Sequence, residues 1–243
     1  SSQARGASKA MEIFHRFFLF PVPARLLLTE NAAGDILIKN ELLRPPAASS
    51  SPDGRAFGKP RKDKPDEKGE EILLRLTNDK EWLVRADACD SLCISESVTT
   101  YNLLKKIAKK DTSGYVRGYA ILSLGDIADK INKEDELLEY LEDRLKHEKV
   151  QFTKINICTV LYNLGRKEYF GKLLSMINSK KYTNRGAVVN CLKYIANESN
   201  RDMIISILLE YKEKETARSV IYTIDDAIKK IEEMDEMEED SDE

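Results

Sequence analysis

The sequence predicts an all-α fold for most of its length, a right-handed α-solenoid of about five helix pairs preceded by a poorly structured leader. Three observations carry that prediction. Basic anchors at Arg85, Arg117, Lys154, Arg185 and Arg218 recur 32, 37, 31 and 33 residues apart, a period of stacked units that cannot bury their apolar faces alone. An acidic residue stands six positions before the first three anchors, at Asp79, Asp111 and Glu148, whereas Ser179 and Lys212 hold that position in the last two. Finally, no proline occurs from Asp66 to Glu243. Apolar residues there, such as Ile72, Leu73, Leu76 and Leu103, Leu104, Ile107, follow the i, i+3, i+4 spacing of a helix with one buried stripe.

In chain order, residues 1–66 differ from the rest of the chain. The first 62 residues hold 25 Ala, Arg, Pro or Gly and six of the seven prolines, and so read as a separate, fused or vector-derived leader. MEIFHRFFLFP, at 11–21, is too short and too interrupted for a signal peptide. A hairpin is expected within 25–43, because apolar runs flank Ala32-Ala33-Gly34-Asp35. Residues 45–66 read as a flexible linker. In the repeat domain, 67–231, first helices are expected near 67–77, 97–110, 133–146, 167–177 and 200–211. Second helices are expected near 81–94, 114–130, 150–164, 183–196 and 215–231. The breaks between them carry Asn, Asp, Ser and Gly, residues that cap helices or turn the chain. Residues 232–243 hold nine acidic and no basic side chains, and read as a disordered acidic tail.

Composition excludes several classes. No run approaches the ~18 apolar residues of a membrane span. Four cysteines in 243 residues do not make a disulfide framework, so the cytoplasm is the expected setting. The body from 68 to 231 carries 28 basic and 25 acidic residues, close to neutral, which disfavours nucleic acid as the partner.

The residues Asp79…Val84-Arg85…Ala88…Leu92 and Asp111…Val116-Arg117…Ala120…Leu124-Gly125 resemble the HEAT-repeat family, in particular the short bacterial repeats of the phycobilisome-lyase type. The resemblance covers about residues 67–231. It implies that acid and arginine form a ladder between successive units, here Asp79, Arg85, Asp111, Arg117, Glu148 and Lys154. The physical reason stands apart from the name: a carboxylate at a helix start faces backbone N–H groups, and an arginine one turn in can bridge to a neighbouring carboxylate. The resemblance also implies that the second helices line a concave surface. Counting from each anchor, positions +2, +5 and +9 lie opposite the core stripe. They put Asp87, Asp90, Tyr119, Leu122, Asp126, Asn156, Thr159, Asn163, Asn190 and Tyr194 in the groove, with Val220, Thr223 and Ala227 in the last unit. Such a mixture of amides, hydroxyls, aromatics and acids suits a protein or peptide better than a phosphate backbone.

No catalytic, cofactor or metal site emerges. Cys89 and Cys93 lie one turn apart, but Cys89 and Cys158 share a core position, and His15 and His147 are far apart. Gly-rich phosphate loops, GxSxG and HExxH are missing. The expected function is therefore a non-enzymatic adaptor that holds a protein or peptide in its concave face. The alternative is a HEAT-like enzyme or enzyme subunit, of the DNA-glycosylase or bilin-lyase kind.

Overall fold

A computed structural model of the full chain describes residues 26–30, 36–40 and 67–233. The chain divides into two compact units, Ser1–Ile72 and Leu73–Glu243. In the first, β1 (Leu26–Glu30) pairs antiparallel with β2 (Ile36–Asn40), Leu28 opposite Ile38 and Glu30 opposite Ile36. These strands fall inside the 25–43 span read as a hairpin. The rest of the leader, the 45–66 linker and the tail beyond residue 233 lie outside the described residues.

From residue 67 to 233 the described chain is all-α, with ten helices. They are α1 (Glu67–Leu76), α2 (Trp82–Ser91), α3 (Val98–Lys110), α4 (Gly114–Lys130), α5 (Glu134–His147), α6 (Gln151–Asn163), α7 (Tyr169–Ser175), α8 (Tyr182–Ile195), α9 (Arg201–Lys212) and α10 (Arg218–Glu232). Their bounds lie within three residues of those expected from sequence. Single 3-10 turns at Leu92–Ile94 and Met176–Asn178 finish α2 and α7.

The breaks have local causes. Ser97 and Ser113 cap α3 and α4 by accepting the N–H groups of Thr100 and Val116. Gly165, at φ 90°, ends α6 in the left-handed region, so that the Arg166 N–H reaches the Leu161 carbonyl at 3.0 Å. Asn132, at φ 55°, turns the chain after α4 in the same region.

The even-numbered helices pack in series, α2 on α4, α4 on α6, α6 on α8 and α8 on α10. The odd helices α3, α5, α7 and α9 pack against even helices adjacent in sequence. Consecutive even helices point the same way. Near the starts, the Thr153 hydroxyl donates to the Gly114 carbonyl at 2.9 Å; toward the ends, Lys193 pairs with Asp226 at 3.0 Å. Leu92, Leu104, Ile121, Leu124, Leu137, Leu141 and Leu161 are among the fully buried apolar side chains of this series.

Helix α6 is the most enclosed element: Phe152, Thr153 and every residue from Ile155 to Tyr162 are buried. Gly118 of α4 permits this. A Cβ there would lie 2.5 Å from Asn156 Nδ2 and 2.6 Å from the Phe152 ring, so only glycine lets α6 approach this closely. Gly114, one turn earlier on the same face, leaves room for Val150 in the same way.

Candidate functional site

A recurring set of hydrogen bonds joins the starts of consecutive even helices. The Arg85 guanidinium grips Asp111 through two nitrogens, at 2.8 and 3.0 Å. Arg117 grips Glu148 at 2.9 and 2.7 Å, and Arg185 grips Glu215 at 2.7 Å through both. In each rung the third guanidinium nitrogen donates back to the loop before its own helix: to the carbonyls of Asp79, Asp111 and Ser179 at 2.9, 2.8 and 3.0 Å. Each carboxylate also accepts the N–H two residues on, at Ser113, Val150 and Ala217, all at 2.8 Å. The sequence forces this arrangement locally, because an acid just before a helix meets unpaired N–H groups and a positive helix end.

The register is set by the helix start. The acid position lies three residues before the helix (Asp79, Asp111, Glu148, Ser179, Glu215) and the cation position three residues in (Arg85, Arg117, Lys154, Arg185). In α10 that second position is Ile221, and Arg218 is the exposed first residue of the helix. Arg218 is therefore not a fifth anchor, and counting back from it to Lys212 missed Glu215. The shift also moves Val220 and Ala227 out of the expected groove; both are buried.

One rung is unfilled. Lys154 has no carboxylate within ion-pair distance among the described residues, and Ser179 stands at the acid position opposite. Gln151 bridges the gap with neutral bonds: its side-chain oxygen accepts from the Ser179 hydroxyl and the Asn184 amide, each at 3.0 Å. Thus Asp111 and Glu148 take part in rungs, whereas Lys154 does not. Asp79 accepts the Glu81 N–H at 2.8 Å through its side chain.

Two groups of acids respond to pH in opposite senses. Burial works against ionisation of Asp111 and Glu148, but their arginines and helix-start N–H groups outweigh it and hold both below the ordinary range. For Glu215 the Arg185 hydrogen bonds dominate over burial and bring it down to about 2. A carboxyl lowered in the folded state adds stability above its unfolded pKa, and that stability goes as pH falls through the folded value, here from about 4.5 toward 2. Asp87 is pushed up to about 7 by burial, and Asp90 to about 7 by burial and then by the neighbouring Asp87 and Asp126. A raised carboxyl stabilises fully below its unfolded value, about 3.8, and loses that contribution as pH rises through 7. Urea denaturation is accordingly expected to give maximal stability near pH 4, where the rising and falling windows overlap. Asp90→Asn is expected to raise the midpoint at pH 8 and leave it nearly unchanged at pH 4.

The expected groove residues have two fates. Asn156 and Thr159 are fully buried, and Leu122 and Asn190 are 8% exposed. Thr159 and Asn190 are polar yet enclosed because each bonds the carbonyl four residues back, of Ile155 at 3.0 Å and Gly186 at 3.2 Å. Asn156 lies between Gly118 and Cys191, its oxygen 3.6 Å from the thiol. These four side chains are packing elements, and a partner cannot touch them in this conformation.

Asp87, Asp90, Tyr119, Asp126 and Tyr194 are partly exposed, and Asn163 is exposed at the end of α6. The structure brings five of the ten together. Burial, then Asp90 and Asp87, raise the Tyr119 hydroxyl well above its ordinary range; burial and Asp126 do the same to Tyr194. The Tyr194 hydroxyl donates to Asp126 at 2.7 Å, joining α8 to α4 across the enclosed α6. Sequence spacing gave no signal for this bond, which links α4 to α8, the second even helix after it.

The remaining candidates are ordinary packing or surface groups. Cys89, Cys158 and Cys191 are buried free thiols, with Cys158 pushed up to about 11 by burial. No group of three or more His, Cys, Asp or Glu among the described residues is placed to hold a metal ion. His147 is exposed. Trp82 stacks on Tyr115 at 5.2 Å, and Lys105 pairs with Glu136 at 2.6 Å. No helix among the described residues is long and apolar enough to cross a membrane. No protein-family model matches the chain, and no curated protein matches it either.

Proposed function

We propose that residues 67–231 form a right-handed α-solenoid of HEAT-like helix pairs that acts as a non-enzymatic adaptor. It would hold a protein or peptide on the face of the even helices that carries Asp87, Asp90, Tyr119, Asp126 and Tyr194. The observation that supports this reading is that Asp87 and Asp90 are partly exposed with no cation within ion-pair distance among the described residues. Two carboxyls beside two tyrosines favour a polypeptide carrying lysine or arginine, whose charge would lower their pKa values and whose stem would lie on the rings. The same acids would repel a phosphate backbone, which weighs against a glycosylase-like alternative. A reducing compartment such as the cytoplasm suits the buried thiols.

The test is capture from a lysate of the source cell, followed by reconstitution with the purified candidate. Asp87→Lys with Asp90→Lys is expected to abolish binding while leaving the circular dichroism spectrum intact. Undiminished binding by that folded variant would remove this face from the account.

A further inference from the structure

We propose that Ser179 is a phosphorylation site, and that phosphate on its hydroxyl supplies the anion missing from the rung between α6 and α8. This site is independent of the adaptor reading, and one position across the repeat carries it. Asp111, Glu148, Ser179 and Glu215 all lie three residues before an even helix. The Ser179 carbonyl receives the Arg185 guanidinium just as the Asp111 carbonyl receives that of Arg117. Its hydroxyl oxygen lies 3.4 Å from the N–H of Lys181, two residues on, where the carboxylates accept the same N–H. Ser179 is thus in the acid's place with a neutral side chain.

Its surroundings are built for an anion. By register, Lys154 of α6 holds the cation position of this rung, with no carboxylate within ion-pair distance among the described residues. Lys180 and Lys181 are exposed in the same loop, and the start of α8 adds its N–H groups and positive dipole end. The side-chain amides of Asn184 and Gln151 complete the surround, the former 3.2 Å from the hydroxyl. Among the described residues, Arg185 is the one charged group there already committed, to Glu215. The partly exposed loop is open to a kinase that uses a nucleoside triphosphate. The Ser179 oxygen would bond to the γ-phosphorus as the bond from that phosphorus to the bridging oxygen breaks. The nucleoside diphosphate would leave with the electron pair, and the hydroxyl proton would pass to the kinase's base. The phosphate, carrying a charge of about −2, would then displace the Gln151 bridge and pair with Lys154, making this third rung ionic like the other three.

The experiment uses the full chain purified with phosphoserine encoded at position 179. At low salt its melting temperature is expected to rise by about 2–4 °C, and the gain should shrink as salt is added. Lys154→Ala should cancel the gain, and phosphoserine at the exposed Ser175 should give none. Phosphorus NMR should show the phosphate's second ionisation below its usual value of about 6, restored by Lys154→Ala. An unchanged or lowered melting temperature, a gain that survives Lys154→Ala, or a phosphate titrating near its free value would each overturn the proposal.

Discussion

Glu148→Ala is expected to destabilise the protein by about 3–5 kcal/mol, the loss found when one partner of a buried ion pair is removed. Four groups converge on this carboxylate, whose side chain is only 2% exposed. Arg117 binds it through two nitrogens, Arg144 reaches it at 3.0 Å, and the N–H groups of Lys149 and Val150 donate at 2.8 Å. Alanine would leave two guanidiniums, 12% and 13% exposed, without their counter-charge. Two N–H groups at the start of α6 would also lose their acceptor. Urea denaturation at pH 7 measures the loss, and Glu139→Ala on the exposed side of α5 is a suitable comparison, expected to stay within about 0.5 kcal/mol. A loss for Glu148→Ala no larger than that of the control would show that the rung does not hold α4 to α6.

Gly118→Val is expected to cost about 3 kcal/mol through overpacking. Phe152 and Asn156, the groups a Cβ would strike, are 2% and 0% exposed and have nowhere to move. The contrast with Gly171 gives the sign. There a Cβ meets nothing within 4 Å and the residue is exposed in α7, so Gly171→Ala should stabilise by up to about 1 kcal/mol through helix propensity alone. Thermal unfolding of both variants beside the parent measures this. Destabilisation should also loosen the Tyr194–Asp126 bond, since the depth of α6 lets α8 and α4 meet over it. A Gly118→Val protein as stable as the parent would show that α4 and α6 do not need this close approach.

The helix starts and stops were legible in the sequence because they have local causes. Ser97 and Ser113 cap, Gly165 and Asn132 turn the chain, and the apolar stripes repeat. The rungs were legible where acid and arginine kept their six-residue spacing, at Asp79/Arg85 and Asp111/Arg117. In α10 that spacing failed, because Ile221 fills the cation position and Arg218 imitates an anchor one turn too early. Counting from the helix start would have found Glu215.

The face was harder to read, for a different physical reason. Polar residues at a regular spacing read as surface, yet Thr159 and Asn190 satisfy themselves on their own helix and can be buried. How deeply α6 is enclosed depends on Gly118 of α4 and on the Tyr194–Asp126 bond that joins α8 to α4 over it. Neither appears in a pattern with a period of one repeat.

Among the described residues, consecutive even helices are joined by one recurring rung, registered on the helix start and unfilled between α6 and α8. Double-mutant cycles measure it most directly. The Arg185→Gln/Glu215→Gln cycle should give a coupling of about 1.5–3 kcal/mol, as expected for hydrogen bonds between charged groups. The Lys154→Gln/Ser179→Ala cycle in the unmodified chain should give zero within about 0.5 kcal/mol. No coupling between Arg185 and Glu215, or equal coupling in both cycles, would contradict the account.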